Sequence, residues 1–454
     1  MEKQQSLQGF DLKHLVVMAL GNIIGSGIFL ASGTVISLAG PGALLAYLLG
    51  GFIMLLEVMF IAEMSIVNPA PGSFRVHAAE VFGPGVGFVN GWMFWCSGLL
   101  GMASEVTAAA IYTSFWFPTV PLWIFCLIFA LIMTIFNFTD VRGLSRIETW
   151  LASVKVISLV LFILFGILAV LRLLPFEINV SSHGFTSLND FLPHGFNGLF
   201  AAMLIVLFSF TGTGIIGLAV ADTNRPERDL PPAIYIITGT VTALYVLAIL
   251  FLMLLVPWQQ ISTAQSPFVT VLQSYGIPYA GMILNFIVLS ASLSGLNSSM
   301  YSASRMLYSL GKGKQAPALF MKTNEQGVPI YAVGVSSLVL SLTAVLSYVL
   351  PRQAFIILLG ASGFLAMFNW LTISVTHYFY RQKVLRECPE KLKYKVPGYP
   401  YGTFLAIVLI AAVLATSPLY AGQVPSLIGG IGIIGVIILI YFGLELHKRL
   451  KVKT

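Results

Sequence analysis

The chain has 454 residues, of which 57% are hydrophobic and only 9% are charged, whereas about 25% of the residues in a typical soluble protein carry a charge. Apolar stretches long enough to cross a bilayer recur along the whole sequence, so the composition excludes a soluble enzyme and predicts one all-α polytopic membrane domain. The alternating segments of ~10 residues that build a transmembrane β-barrel do not occur in it.

Twelve spans are predicted from the hydrophobic runs, with Gly and Pro marking the turns, including Pro231-Pro232 before the seventh. In chain order they cover residues 15–38, 41–67, 84–116, 121–139, 149–172, 196–220, 232–256, 279–309, 330–350, 353–379, 402–419 and 424–446. The single domain, 1–454, then divides into a polar segment at 1–14, spans one to six within 15–220, spans seven to twelve within 232–446, and a tail at 447–454.

The basic residues predict the orientation of these spans. Of the 24 lysines and arginines, all except Arg172, Arg352 and Lys155 fall on the side that holds both termini. Cytoplasmic connections carry such an excess, so we expect both termini in the cytoplasm and the chain in the plasma membrane. The basic residues therefore determine the orientation of the spans in the lipid bilayer, and no nucleic-acid partner is expected.

Four charged residues stand out inside predicted spans, where each needs a reason because charge is costly in lipid. Glu57 and Glu105 lie deep and are expected to face the interior of the helix bundle. Glu63 lies near the end of span two, and either an interfacial or an interior position remains open. Lys155 lies about two turns into span five, where snorkelling to the surface competes with the favoured role of a functional buried cation.

Two spans are interrupted by glycine. Span one contains Gly25-Ser26-Gly27, and span six contains Gly212 and Gly214 within FSFTGTGIIG. The latter also matches the G-x-G-x-x-G dinucleotide pattern, but that reading requires a strand–helix unit, and both flanks are spanning helix. Interrupted spans at corresponding positions of two halves instead predict a five-plus-five inverted repeat with a binding site at the membrane midplane.

The chemistry of two such breaks suits an α-amino acid. Unwound backbone leaves N–H groups at the start of one half-helix and carbonyl groups at the end of the other. The N–H groups attract a carboxylate and the carbonyls attract an ammonium group. The predicted carboxylate donors are Ser26, Gly27 and Ile28, the predicted amine acceptors are Phe208, Ser209 and Thr211, and the site also includes Ile23, Ile24, Gly25 and Gly212, with Trp95 as a candidate wall.

The ordered blocks of the chain also carry a family resemblance. They include IIGSGIF (23–29), PGSF (71–74), ASEVTAAA (103–110), WLASVKVI (150–157), FSFTGTGIIGLA (208–219) and NRPERDLPPAI (224–234). From about residue 9 to the last spans, the chain resembles bacterial amino acid permeases of the amino acid–polyamine–organocation superfamily, most closely its amino acid transporter branch.

This resemblance implies a twelve-helix transporter fold with broken spans one and six, and an aromatic gate at Phe208. It further implies that Lys155 takes the place of a sodium ion, bridging span one near Gly21 to Ile24 and span eight near Ser290, Ser292 and Ser294. Proton coupling is therefore expected in place of sodium coupling, and we group Glu105 with these coupling residues.

Two departures from the family pattern bear on the substrate. Many members of the branch have Glu where this chain has Gly214, and many have Arg where it has Met59. With less acid to meet a cationic side chain, a neutral amino acid is favoured, although Glu105 keeps a basic substrate open.

The leading hypothesis is a secondary active importer of a neutral L-amino acid by proton symport. The alternatives are an amino acid or amine exchanger, a carrier of a cationic amino acid or a polyamine, and, less favoured, a channel or sensor. An enzyme is not expected, because no nucleophile–base set or HExxH motif occurs within the spans. We expect no cofactor besides the coupling proton, no metal, and no obligate partner chain.

Overall fold

The computed structural model describes residues 12–70, 72–138, 141–174, 187–220, 223, 225–261, 265–277, 279–350, 354–420 and 423–453, which form an all-α membrane protein. The α-helices in chain order are α1 Leu12–Ile23, α2 Ser32–Ala39, α3 Ala43–Val67, α4 Phe74–Phe82, α5 Pro84–Thr113, α6 Leu122–Phe138, α7 Val141–Val170, α8 Leu188–Phe191, α9 Gly195–Ser209, α10 Gly214–Ala219, α11 Pro226–Leu255, α12 Pro267–Ser274, α13 Ala280–Lys312, α14 Ile330–Val349, α15 Ala354–Glu387, α16 Tyr401–Thr416 and α17 Val424–Lys453.

The helices agree with the twelve predicted spans. Within the described ranges, ten helical stretches are long and apolar enough to cross a membrane, and the first of them, Leu15–Val67, has 53 residues and holds two passes. The shorter apolar helix Leu122–Phe138 supplies the remaining span. An even number of passes returns the chain to the side on which it begins, which we call the terminal side.

Spans one and six are both broken, as the glycines predict. Span one consists of α1, a bend at Ile24 and Gly25, a π-helical turn over Gly27–Ala31, and α2. Span six consists of α9, a turn over residues 210–213, and α10. Gly212 in this turn has φ +99°, a left-handed conformation that residues with a Cβ rarely adopt.

Helix packing follows the predicted repeat. One group joins spans one, two, six and seven, in which α3 packs against α9 and α11, and α1 against α11. A second group joins spans three, four, eight and nine, in which α5 packs against α13, and α6 against α14. Members of each group lie five spans apart, which is the spacing expected of a five-plus-five repeat.

Several span boundaries differ from the sequence prediction, and two of them are informative. The seventh span was expected to start at Pro232, but α11 begins at Pro226 and contains both Pro231 and Pro232. Pro226 occupies the first turn, where no N–H is required, and the two later prolines lie opposite exposed residues 227 and 228, whose carbonyls can bind water. The tenth span also continues as α15 to Glu387, beyond the predicted end at 379.

The connection between α3 and α5 is pinned to the end of span eight on the terminal side. The Arg75 guanidinium donates to the carbonyl and hydroxyl oxygens of Ser309, and to Gln315 Oε1 at 2.6 Å. Burial lowers the pKa of Arg75 to about 10, so this group stays charged at neutral pH. Burial also lowers the pKa of His77 to about 4, so the neighbouring imidazole stays neutral.

Glu63 is interior, which decides between the two positions left open by the sequence. Its carboxylate lies 3.1 Å from Arg381 Nη1 and 3.2 Å from His377 Nε2, and it accepts the N–H of Val396 at 2.5 Å. Only 2% of its side chain is exposed. One carboxylate thus joins span two, span ten and the connection that follows span ten.

Replacing Arg381 with Ala should destabilise the fold. The change leaves the buried Glu63 carboxylate without its cation, and breaking a buried pair in this way typically costs about 3–5 kcal/mol. We expect a lower melting temperature of the purified protein in detergent, measured by fluorescence-detected size-exclusion chromatography.

Arg386→Ala is the matched control, because Arg386 lies five residues further along α15 and is exposed. An equal melting temperature for both variants would contradict the structural role of the Glu63–Arg381 pair.

Candidate functional site

A cavity of about 90 Å³ lies where the breaks of spans one and six meet. Its walls come from α1, α3, α4, α5, α9, α10, α13 and α15 and from the unwound segments themselves. The lining continues past the breaks to Ile61, Phe74 and Ile373, which lie in the parts of the chain nearest the terminal side. The cavity therefore extends from the middle of the bundle toward that side.

Lys155 binds the carbonyl end of the broken first span. Its side chain is fully buried, and Nζ donates to Gly21 O at 2.5 Å and to Ile24 O at 2.8 Å. These carbonyls end α1 and have no continuing helix to bond them, so they present partial negative charge to the ammonium group. The lysine does not snorkel, and it bridges span five to span one as the resemblance implied.

Glu105 binds the opposite end of the same break. Its Oε1 and Oε2 accept the N–H of Ser26 at 3.1 and 3.3 Å. The sequence had assigned this N–H to the carboxylate of a substrate. In this conformation a carboxylate of the protein itself holds the position, because Glu105 lies deep in α5 and points at the start of the second half-helix.

Two side chains join the breaks to each other. Tyr245 of α11 is fully buried, and its hydroxyl lies 3.1 Å from Ile23 O and 3.2 Å from Ser209 O. Asn22 donates from Nδ2 to Gly212 O at 2.7 Å. Hydrogen bonds therefore join the two unwound segments, and they involve carbonyls of span one (Ile23) and of span six (Ser209 and Gly212).

The backbones of the breaks also approach closely. A Cβ placed on Gly27 would lie 2.7 Å from Ser209 Oγ and 2.8 Å from Ser209 Cα, closer than real Cβ contacts. Only glycine fits at this crossing. The sequence predicted Gly27 as a helix breaker, and the structure adds that it sets the distance between spans one and six.

The carbonyls predicted to receive an amine already carry internal partners. Phe208 O accepts from the N–H and the hydroxyl of Thr211, at 2.9 and 2.7 Å, and Ser209 O accepts from Tyr245. Carbonyl oxygens have two lone pairs, so Ser209 O, with one donor from Tyr245, can still bind an added ammonium group, whereas Phe208 O must first release one of its two donors from Thr211. Three polar atoms at this level, Asn22 Oδ1, Ser26 Oγ and Thr213 Oγ1, are buried without a hydrogen-bond partner.

Aromatic rings form the part of the cavity nearest the terminal side. Phe74 and Phe94 pack with ring centroids 5.1 Å apart, and Trp370 lies in the same lining. A Cβ on Gly214 would meet Phe94 Cε2 at 2.8 Å. The Phe94 ring therefore occupies the space into which a side chain at position 214 would extend.

The structure brings most of the predicted residues together. Among the predicted substrate-binding residues, the cavity lining contains Ile23, Gly25, Gly27, Phe208, Ser209, Thr211 and Gly212, but not Ile24, Ser26, Ile28 or Trp95. Trp95 points elsewhere: its indole N–H donates to Ser336 of α14 at 3.0 Å, and Phe94 takes the place expected for it in the wall.

The three predicted serines of span eight differ in their surroundings. Ser290 donates to Ile287 O within its own helix, whereas Ser292 lies near the Glu105 carboxyl without a hydrogen-bond partner. Ser294 is fully buried. All three lie on α13, which packs against α7, the helix that carries Lys155.

Sequence reasoning missed Tyr245, Asn22 and Phe94. Asn22 directly precedes the block IIGSGIF (23–29) and was open to notice as a polar residue within an apolar run. Tyr245 and Phe94 lie in ordinary apolar stretches, where no local pattern separates a hydrogen-bonding or wall residue from a packing residue.

The lining of the cavity contains one ionisable side chain, Glu105. Among the residues that the structure describes, no group of three or more His, Cys, Asp and Glu side chains could hold a metal ion. The site therefore offers backbone dipoles, hydroxyls and aromatic faces, which suit the binding of a small zwitterion.

Comparison with known proteins finds similarity to amino acid permeases along almost the whole chain. The amino acid permease family profile matches residues 14–454. The chain is 34% identical over 92% of its length to the gamma-aminobutyric acid permease of Bacillus subtilis (strain 168), covering 89% of that protein. It is 33% identical over 93% of its length to an aromatic amino acid transport protein of Escherichia coli O6:H1, and the match covers 92% of that protein. It is also 33% identical over 90% of its length to a putative histidine permease of B. subtilis, and the match covers 87% of that protein.

Replacing Gly27 with Ala should separate the two breaks. The new methyl group overlaps Ser209 Cα, and a displacement of about 1 Å at a binding site can reduce activity ~100-fold. We expect uptake of labelled amino acid into cells to fall at least about tenfold at equal protein level.

Gly239→Ala provides the control for helix propensity, since a Cβ at Gly239 of α11 meets nothing within 4 Å. That variant should be as stable as the wild type or more so. Similar uptake by the two variants would show that the crossing tolerates a side chain.

Proposed function

The chain belongs to the amino acid permease family, and we propose that it imports a neutral L-amino acid across the plasma membrane by symport with a proton, both termini lying in the cytoplasm. Membership of the family makes it an amino acid transporter and not an enzyme. The observation that carries the finer proposal is the occupation of both ends of the span-one break by ionisable side chains of the protein.

In this proposal the substrate carboxylate competes with Glu105 for the N–H of Ser26. The substrate ammonium group binds the carbonyls of the span-six break, beside Phe208 and Ser209. Two carboxylates cannot share one small buried site as anions, because like charges in a low dielectric repel strongly. Displaced from its donor, Glu105 takes up a proton, so substrate and proton are bound together.

Lys155 supplies the second part of the coupling. Its ammonium group binds Gly21 O and Ile24 O, the kind of carbonyl pair that would otherwise ligate a sodium ion. Loss of the lysine proton removes the cation from these carbonyls and weakens the contact between spans five and one. Proton movement thereby changes how span one is held, and no free metal cation is required.

A neutral side chain fits the rest of the cavity. Its only ionisable lining group, Glu105, is engaged with Ser26, and the space beside Gly214 is filled by Phe94. A cationic side chain would therefore meet phenyl and indole rings without a free carboxylate. The printed names of the relatives include aromatic amino acid and histidine transport, which are compatible with rings in the wall.

Purified protein in liposomes tests the proposal. We expect labelled amino acid to accumulate against its gradient when the outside is acidic and sodium is absent, and a proton ionophore to abolish accumulation. Uptake driven by a sodium gradient alone would overturn proton symport. Counterflow that is indifferent to the pH gradient, without net accumulation, would identify an exchanger.

Lys155→Ala should abolish accumulation. Without the ammonium group, the Gly21 and Ile24 carbonyls lose their cation, and the step that depends on its protonation is absent. We expect proton-driven uptake into liposomes to stop at the equilibrium level, while counterflow of the same amino acid stays measurable.

Ser158→Ala on the same helix is the control, because the Ser158 hydroxyl donates only to Val154 O of its own helix. Accumulation by Lys155→Ala at the level of this control would remove the lysine from the coupling mechanism.

Changing Gly214 to Glu should alter selectivity once space is made for the new side chain. We compare Phe94→Ala with the double variant Phe94→Ala/Gly214→Glu, because the phenyl ring blocks position 214 in the wild type. The added carboxylate should shift competition from neutral toward cationic amino acids by about tenfold, or ~1.4 kcal/mol.

The measurement is inhibition of labelled uptake by each of the twenty amino acids at two pH values. Identical competition profiles for the single and double variants would show that the space near position 214 does not contact the substrate side chain.

A further inference from the structure

Glu57 is a buried carboxyl group in the bundle that the substrate cavity does not include. It lies in α3, and 0% of the residue is exposed. Its Oε1 accepts a short hydrogen bond from the hydroxyl of Ser374 in α15, and its Oε2 has no hydrogen-bond partner. One oxygen of this carboxyl group is thus hydrogen-bonded across the interface between spans two and ten, and the other oxygen has no hydrogen bond.

The neighbouring Glu63 shows how an acid with a cation partner is held in the same interface. Arg381, His377 and the Val396 N–H all contact the Glu63 carboxylate. Glu57 has no such cation: within the described residues it forms no ion pair, and its only side-chain partner is a neutral hydroxyl.

The helices packed against α3 bring few ionisable groups toward Glu57. His377 and Arg381 of α15 bind Glu63, and Tyr245 of α11 binds the two breaks. The remaining charged or titratable groups of α4, α11 and α15 lie in the parts of these helices nearest the terminal side. They are Arg75, His77, Glu80, Glu227, Arg228, Asp229, Tyr235, Tyr378, Tyr380, Lys383, Arg386 and Glu387. Helix α16 adds Tyr401 at its start. None of them interacts electrostatically with Glu57.

An unpaired carboxylate in this position would be costly. Burial of an isolated charge is penalised by several kcal/mol even after local relaxation, whereas a neutral carboxyl group keeps the Ser374 hydrogen bond at little cost. Ionisation of Glu57 therefore requires water to enter between α3 and α15. Because α3 packs with the broken spans and α15 lines the cavity, such a separation changes access to the cavity.

We propose that Glu57 is a proton-binding site separate from the substrate cavity, and that its protonation holds α3 against α15 in the conformation described here. The site binds a proton at Oε2 while Oε1 accepts from Ser374, and it releases the proton when the two helices part. The inference does not depend on proton symport, since it concerns a conformational equilibrium that exists with or without substrate.

The test measures that equilibrium directly. Cys96, Cys126 and Cys388 are replaced by Ser, and spin labels are attached at Pro69→Cys, just after α3, and at Leu385→Cys near the end of α15, both exposed positions. Distances between the labels are measured in lipid nanodiscs over a range of pH. With Glu57 present, the longer-distance population should grow relative to the shorter one, by up to about tenfold per pH unit above the midpoint.

Two variants distinguish the site from a merely structural acid. Glu57→Gln keeps the size and a hydrogen bond to Ser374 but cannot ionise, so its distance distribution should not change with pH. Ser374→Ala removes the partner hydroxyl and should raise the longer-distance population at every pH. Ser158→Ala, a spanning-helix serine on α7, should behave as the parent protein.

Infrared difference spectra between the parent protein and Glu57→Gln give an independent reading. A band of a protonated carboxyl group should be present at neutral pH in the parent, be absent from the variant, and disappear over the pH range in which the distances lengthen. Distances that ignore pH in the parent, or that change equally in Glu57→Gln, would overturn the proposal. Failure of proton-driven uptake would leave these readings unchanged.

Discussion

The structure depends on the satisfaction of backbone groups that two broken helices leave open inside a membrane. An interrupted helix exposes carbonyls on one side of the break and N–H groups on the other, and lipid offers neither a partner. Lys155 binds the carbonyls of Gly21 and Ile24, and Glu105 binds the N–H of Ser26. The break of span one is therefore stable because a cation and a carboxyl group from two other spans close its two ends.

The same arrangement explains how a site can be both stable and usable. Three of the groups predicted to bind an amino acid at the breaks already have a partner within the protein: Glu105 at Ser26, Tyr245 at Ser209, and Thr211 at Phe208. Substrate binding is then an exchange of partners and not the filling of bare backbone. Such an exchange costs little free energy, because each backbone group keeps a hydrogen-bond partner. It also makes the hydrogen bonding of each displaced side chain depend on the substrate.

The terminal side of the molecule is fastened by a different kind of contact. Arg75 ties the connection after span two to Ser309 and Gln315, and Glu63 ties span two to Arg381 and Val396. Both contacts include an arginine side chain, whereas the carboxyl group of Glu57, which also lies between spans two and ten, lacks a cation. One helix interface thus contains an ionic contact at Glu63 and, as we propose, a contact at Glu57 whose strength changes with a single proton.

The amino-acid sequence by itself determined the membrane class, the twelve spans and the place of both breaks. Hydrophobic length and glycine position are local properties, and lipid imposes them on each segment separately. It also predicted that Glu105 would be interior and favoured a buried position for Lys155 over snorkelling, because charge inside an apolar run is costly. Tertiary structure decided what these residues bind. That Glu105 occupies Ser26, that Tyr245 joins both breaks, and that Phe94 replaces Trp95 in the wall depend on the rotation and distance of helices far apart in the chain. The extension of α11 through Pro231 and Pro232 was likewise decided by exposure of the preceding turn, which no local rule about proline contains.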